Sequence, residues 1–258
     1  EETRSAVSER IGARKGLWRH PLVWLVLAQL ALGLYGIAQP VVWGHQGFHV
    51  AEHGLSARNL MRHDAWMPSH HSGPGLPAAE SVSYRHPLLL HPYIAAAYTL
   101  FGEEVWVPRV VQLFFAVLML TGLWSFTRRV RDDQKALLAS LALLCTPLHV
   151  TFNHLPDHQV IAIAYTLWAG VGLVDWLRTR RRSALVLWLG ASLLAGLTDW
   201  PWYPVAFFLL LLVAWRALRG SLQDKHPDLG RTELGGGLLA FACVVLLPFL
   251  VHMGAAYN

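Results

Sequence analysis

The stretch LLLHPYIAAAYTLFG at residues 88–102 decides the fold. It is apolar enough to enter a membrane, yet at ~1.5 Å per residue it reaches only about 22 Å as a helix, short of a hydrocarbon layer of ~30 Å. His91 and Pro92 stand near its start. Seven other apolar blocks lie near 21–43, 106–127, 136–153, 157–177, 183–198, 202–217 and 234–254. If 88–102 does not cross, the stretches 1–20, 128–135, 178–182 and 216–231 all fall on one side. They hold five, four, four and four Lys or Arg, which is 17 of the 21 in the chain. The other side keeps only Arg58, Arg62, Arg85 and Arg109. A crossing by 88–102 would divide the basic clusters between the two sides. The positive-inside rule therefore makes this segment interfacial or re-entrant and puts the N-terminus in the cytoplasm.

Composition agrees with a bilayer. Of 258 residues, 54% are apolar and only 14% are charged, where a soluble domain carries about 25% charge. The apolar residues come in blocks separated by short runs rich in Arg, Pro, Gly or His, which describes successive spans rather than one buried core. The expected fold is all-α: a polytopic transmembrane helical bundle of about seven spans with an external loop of interfacial helices. Residues 1–20 form a basic cytoplasmic N-terminus, and 21–258 form the transmembrane domain, including the external loop 44–105. The net charge of +5 comes from basic residues at helix ends, where topology puts them, so no nucleic-acid partner is expected. Cys145 and Cys243 both lie in apolar segments, so a disulfide framework is not expected. The chain starts at Glu1 rather than Met and stops at Asn258 after an apolar block, as expected of a piece of a longer protein. No cleavable signal is evident, and the first apolar block is long enough to remain as an anchor. Compact loops point to a bacterial inner (plasma) membrane.

With this topology the chemistry collects on the outer, non-cytoplasmic face. Loop 44–105 contains His45, His49, His53, His63, His70, His71, His86 and His91, and the next outer tip contains His154 and His158. His45, His49 and His53 are spaced i, i+4, i+8 and share a helix face. Such a set can ligate a divalent metal, because imidazole suits zinc-like ions. It equally describes the polar face of an amphipathic helix over 47–61 resting on headgroups. His70-His71 lies in PSHHSGPGLP, a loop by composition, where paired histidines are ordinarily solvated. Asp157 (in NHLPDHQ) and Asp199 (in LTDWPWY) each stand at the junction of two spans. A carboxylate at that depth is costly unless it is paired or faces a wet cavity, which makes each a site candidate. Each also reads as a helix N-cap. Trp200, Trp202 and Tyr203 suit an interfacial aromatic belt, and such faces also stack on sugars.

The motifs GHQGF at 44–48, ARNLMRHDAW at 57–66, RHPLLLH at 85–91, FGEEVWVPRVVQLFF at 101–115, PDHQ at 156–159 and TDWPWY at 198–203 occur in a telling order. Over roughly residues 20–215 the chain resembles the polytopic glycosyltransferases that take sugars from polyprenyl-phosphate donors, the GT-C superfamily. Its protein O-mannosyltransferases and lipid A aminoarabinose transferases are the branches meant. The resemblance implies a juxtamembrane helix at 88–102, an arginine opening the next span, and transfer of a sugar to a lipid, glycan or protein acceptor. Two positions depart from the pattern. His45-Gln46 stands where an acidic residue is usual, and Pro87-Leu88 replaces a proline pair, with no lysine before it.

The resemblance implies a general base, for which Asp157 is the first candidate, Glu52 the second and His45 the third. Cations must hold the donor phosphate, and Arg58, Arg85 and His86 are the candidates. Gln46, His49, His91, His158, Asp199 and Trp202 are further pocket residues, with His45, His49 and His53 as the possible metal set. An apolar groove beside the 88–102 helix would hold the prenyl tail. Two other functions stay open. One is a non-catalytic subunit of a membrane complex, which His45-Gln46 would suit. The other is a proton or metal transporter, against which the polar groups gather at one face and no inverted repeat is visible.

Overall fold

The computed structural model describes residues 20–38, 45–64, 66, 89–218 and 231–257. Every regular element among them is helical: α1 (Pro21–Ala38), α2 (His45–His63), α3 (Leu90–Phe101), α4 (Val107–Val130), α5 (Asp133–Cys145), α6 (Pro147–Phe152), α7 (His158–Thr179), α8 (Arg182–Gly196), α9 (Trp202–Leu218) and α10 (Arg231–Tyr257). Helices are what an apolar medium demands, because each satisfies its backbone polar groups internally. Two of them, α4 and α7, are long and apolar enough by length and composition to cross a bilayer, and α1, α8, α9 and α10 carry shorter apolar stretches. Among the described residues the chain is thus all helix, with helices apolar enough to lie in a membrane.

The 88–102 stretch folds as α3, whose twelve residues rise about 18 Å, too little for a crossing. It ends at Gly102, with φ +82°, a left-handed corner that suits a residue without Cβ. The expected amphipathic helix near 47–61 is α2. The expected continuous span at 136–153 is corrected: it is two pieces, α5 and α6, broken at Thr146-Pro147. Pro147 lacks an N–H and pushes Thr146 into an extended conformation, φ −72°, ψ 121°. The sequence pattern alone did not reveal this because the apolar block runs straight through the break.

α7 is the central helix, packed against α4 on one side and α8 on the other. One core joins α7, α8, α9 and α10 through Trp176, Trp188, Trp202 and Phe241. A second joins α2, α3, α4 and α7 through Leu60, Ile94, Phe115 and Ile161, and a third holds α1 and α5 on α4 through Leu25, Trp124 and Ala136. Between helices in lipid, close approach does the work that the hydrophobic effect does in water, and small residues permit it. Gly172 on α7 is the place where such an approach is made to a neighbouring helix's backbone.

At one end of the bundle the arginines at the end of α4 and at the end of α7 meet. Arg129 donates to Asp175 at 2.8 Å, and Arg178 donates to the Arg129 carbonyl at 2.6 Å, tying α4 to α7. At the other end Leu89 N–H donates to the Leu197 carbonyl at 3.0 Å, fixing the start of α3 to the end of α8.

A Cβ on Gly172 would lie 2.4 Å from the Trp188 backbone nitrogen, which cannot step aside cheaply, whereas one on Gly190 meets nothing within 4 Å. Gly172→Ala is expected to cost about 1–3 kcal/mol by overpacking, seen as a lower thermal midpoint in detergent. Gly190→Ala is expected to leave the midpoint in place.

Candidate functional site

The end of the bundle away from Arg129, Asp175 and Arg178 holds a polar chamber, in the sense only of a cluster of buried polar side chains from α2, α3, α4, α6 and α7. Its first feature is a histidine trio from three elements. His53 on α2, His91 on α3 and His158 on α7 are 6%, 3% and 3% exposed. His53 Nδ1 and His91 Nε2 are 3.2 Å apart, and a ligand nitrogen from each of the three lies within 4.8 Å of the others. His158 is delivered by the first turn of α7, which Asp157 starts: the Asp157 backbone is extended and its Oδ1 accepts the Gln159 N–H at 3.0 Å. This is an N-cap in the ordinary sense. The Asp157 N–H in turn donates to Gln112 Oε1 at 3.2 Å, so α4 grips the start of α7.

The second feature is a line of buried polar groups on α4 and α6. Arg109 donates from Nη1 to the carbonyls of Gly36 at 3.3 Å and Ile37 at 2.9 Å, satisfying acceptors at the end of α1. Beside it His154 Nδ1 donates to Asn153 Oδ1 at 2.9 Å. A Cβ on Gly36 would lie 2.2 Å from His154 Nδ1, so only glycine lets α1 pass over this imidazole. Deeper in, His149 on α6 donates to Gln29 Oε1 on α1 at 2.6 Å, with both side chains buried. Sequence reading singled out neither His149 nor Gln29, because a lone polar residue in an apolar block gives no pattern.

The third feature lies along α2 and α3. Arg58 meets Glu103 at 2.7 Å, and Arg62 meets the same carboxylate at 2.8 Å. Together the three side chains keep one net positive charge. Arg58 and Glu103 border a cavity of about 330 Å³ lined also by Gly54 and Tyr98 among others. Burial raises the Tyr98 hydroxyl above its ordinary value, partly offset by Arg58. A separate, largely apolar cleft of about 290 Å³ runs between α3, α4 and α7, lined by Tyr93, Phe101, Val111, Phe114, Phe115 and Tyr165 among others. The Tyr93 and Tyr165 hydroxyls meet across it at 2.5 Å.

Among the sequence-derived candidates, His91, His158 and Asp157 come together here. Helix spacing groups His53 with His45 and His49, and packing also brings His53 together with His91 on α3 and His158 on α7. His45, Gln46 and His49 lie on α2, with side chains outside the described residues, and Arg85 and His86 also lie outside them. Glu52 is half-buried next to His53. Arg58 is engaged by Glu103 rather than waiting alone. Asp199 is 2% exposed and its Oδ1 accepts the Trp200 N–H at 2.8 Å. Trp202 is a core side chain, edge-on to Phe241, not an exposed stacking platform. The flanking Pro201 and Tyr203 gave no signal that the ring between them turns inward.

An all-helical membrane bundle with a polar chamber at one end and an apolar cleft alongside suits a protein that handles amphipathic molecules at the bilayer surface. Residues 85–253 match the profile of the dolichyl-phosphate-mannose-protein mannosyltransferase family. The match spans well over half of the chain, and the chain belongs to that family. It takes in His91, Asp157, His158 and Asp199 and begins after α2. Neither a curated protein nor a solved structure matches the chain.

Burial, and then the neighbouring Arg109 guanidinium, hold the His154 imidazole below its ordinary 6.5. Below that pH the unfolded chain binds a proton that the folded chain refuses, so the stability carried by neutral His154 is full above about pH 6.5 and declines as pH falls. Wild type is expected to lose more thermal stability than His154→Gln on going from about pH 7.5 to about pH 5.5, read as midpoints in the same detergent.

Proposed function

We propose that this protein is a membrane glycosyltransferase that moves a sugar from a polyprenyl-phosphate donor to an acceptor on the non-cytoplasmic face. Family membership makes glycosyl transfer the general activity. The observation that carries the finer reading is an apolar cleft between α3, α4 and α7 together with a second cavity, bordered by Arg58 and Glu103, on the α2 side of the same α3. A polyprenyl-phosphate sugar needs both: a slot for the prenyl chain and a polar place for the phosphate and sugar. Mannose is the sugar that the family's name suggests. In the proposed arrangement the seven long apolar segments cross the bilayer, α2 and α3 lie at its surface, and the N-terminus is cytoplasmic, in a bacterial inner membrane.

The reaction breaks the bond between the sugar's anomeric carbon and the phosphate oxygen, and the electron pair leaves with the polyprenyl phosphate. The acceptor oxygen forms the new bond and gives up its proton. Arg58, drawn with Arg62 to one carboxylate, supplies the net positive charge that favours the leaving phosphate, with Arg85 and His86 as further cations. Asp157 is the base: its Oδ1 caps α7, and its other oxygen takes the acceptor's proton. Glu52 and then His45 are the next candidates. Tyr93, Phe114, Phe115 and their neighbours hold the first isoprene units. The acceptor is a lipid, glycan or protein hydroxyl.

Asp157→Asn tests this directly, because asparagine also caps helices and the fold is expected to survive. Purified wild type is expected to transfer radiolabelled mannose from polyprenyl-phosphate mannose to a membrane acceptor extract. The variant should fall by about 10²–10⁴-fold, the ordinary worth of a general base. Undiminished transfer in the variant would remove Asp157 from the role and pass it to Glu52. A wild type inert with every polyprenyl-phosphate sugar offered would overturn the donor assignment.

A further inference from the structure

We infer that His53, His91 and His158 form a binding site for one divalent ion of the zinc class, with a fourth coordination position left for an exchangeable oxygen ligand. This inference stands apart from glycosyl transfer, because it rests on the trio alone.

The first argument is geometric. A tetrahedral zinc with Zn–N bonds of ~2.0–2.1 Å holds its ligand nitrogens about 3.3–3.4 Å apart. The His53 Nδ1 to His91 Nε2 separation is 3.2 Å, so one edge of the tetrahedron is already drawn. The remaining ligand atoms lie within 4.8 Å, which side-chain rotation of His158 at the start of α7 can close. The rings also fan out instead of stacking. Their centroids are 5.4, 4.9 and 5.5 Å apart with interplanar angles of 46°, 78° and 66°. The arrangement is compatible with three imidazoles turned toward a common point.

The second argument is chemical. Two buried imidazoles at 3.2 Å can share one N–H between them, and a third ring brought to the same place adds a further donor and acceptor in a closed space. Burying polar groups this densely is costly without strong partners. A metal ion provides one partner for all three lone pairs. The all-nitrogen, neutral ligand set selects the ion: imidazole suits zinc, cobalt, nickel and copper, while magnesium and calcium take oxygen ligands. Three protein ligands are the number that catalytic zinc sites use, and they leave a fourth position open. Three neutral ligands also leave the ion's full double charge in a low-dielectric place, which favours an anionic oxygen there.

The third argument concerns the fold. Each ligand comes from a different element, so the ion would staple the two surface helices α2 and α3 to the first turn of α7. Chelation should therefore loosen the junction where Asp157 is held.

The test uses the full chain, purified with a tag that contains no histidine, stripped with a chelator and then titrated with Zn²⁺ or Co²⁺. One equivalent per chain by elemental analysis, a visible Co²⁺ absorption of tetrahedral intensity, and a drop in thermal midpoint on chelation are expected. Inorganic phosphate should perturb the Co²⁺ spectrum if the fourth position is open, and an unchanged spectrum would overturn that part. His53→Ala, His91→Ala and His158→Ala should each weaken binding beyond the roughly 10–100-fold that loss of a mere second-shell partner costs. His20→Ala, at the opposite end of the bundle, should bind as wild type. No stoichiometric ion on folded wild type would overturn the site, as would undiminished binding in the three variants. The wild-type Co²⁺ spectrum decides the matter even if a variant fails to fold. Because none of these readouts is sugar transfer, failure of the metal site and failure of the transferase reading are separately visible.

Discussion

The start of α7 is the point on which the polar end of the molecule depends. A helix entering at that place exposes backbone N–H groups with no partner of their own, and in an apolar setting they must be satisfied. Asp157 accepts from one of them and Gln112 takes the Asp157 N–H itself. These two bonds fix where α7 begins, and through that they fix His158. Because α7 then packs against both α4 and α8, an error of one residue in its start would misplace the chamber and the core together.

The bundle divides its polar groups by end. Ion pairs and arginine-to-carbonyl bonds serve the basic end, where charged side chains can reach water. At the chamber the polar groups are mostly uncharged: histidine, glutamine, asparagine and tyrosine. Uncharged groups are cheaper to bury than unpaired charges, and each here has a named contact. Arg109 is the exception, and it is spent on the carbonyls at the end of α1. The charges offered at the surface of the chamber, Arg58 and Arg62, come with Glu103 in attendance. An incoming phosphate would then meet a site whose positive charge is already partly screened, which favours exchange over permanent capture.

Much of the fold was legible in the sequence because apolar block length and charge placement obey bilayer physics. Most of the blocks became helices, 88–102 proved too short to cross, and the basic runs at 128–131 and 178–182 met at one end. The break at Thr146-Pro147 was hidden because proline at the first position of a helix leaves the apolar pattern intact. The chamber was legible only in part. Helix periodicity relates residues within one element, so it grouped His53 with His45 and His49, whereas the trio is assembled by packing across three elements. Gln29 and His149 are 120 residues apart, and nothing local in either segment points to the other. Trp202 looked interfacial because tryptophan usually is, but a tight contact with Phe241 turned it inward.

The bonds among Arg129, Asp175 and Arg178 have a mechanical consequence. They bolt α4 to α7 at the basic end, while at the other end the continuous α5 gives way to the short α6. Stiffness is therefore graded along the molecule like that of a pair of tweezers, closed at the handle and free at the tips. Any breathing that admits a long-tailed molecule sideways from the bilayer is greatest at the chamber and smallest among the arginines. The basic end is thus the end that moves least.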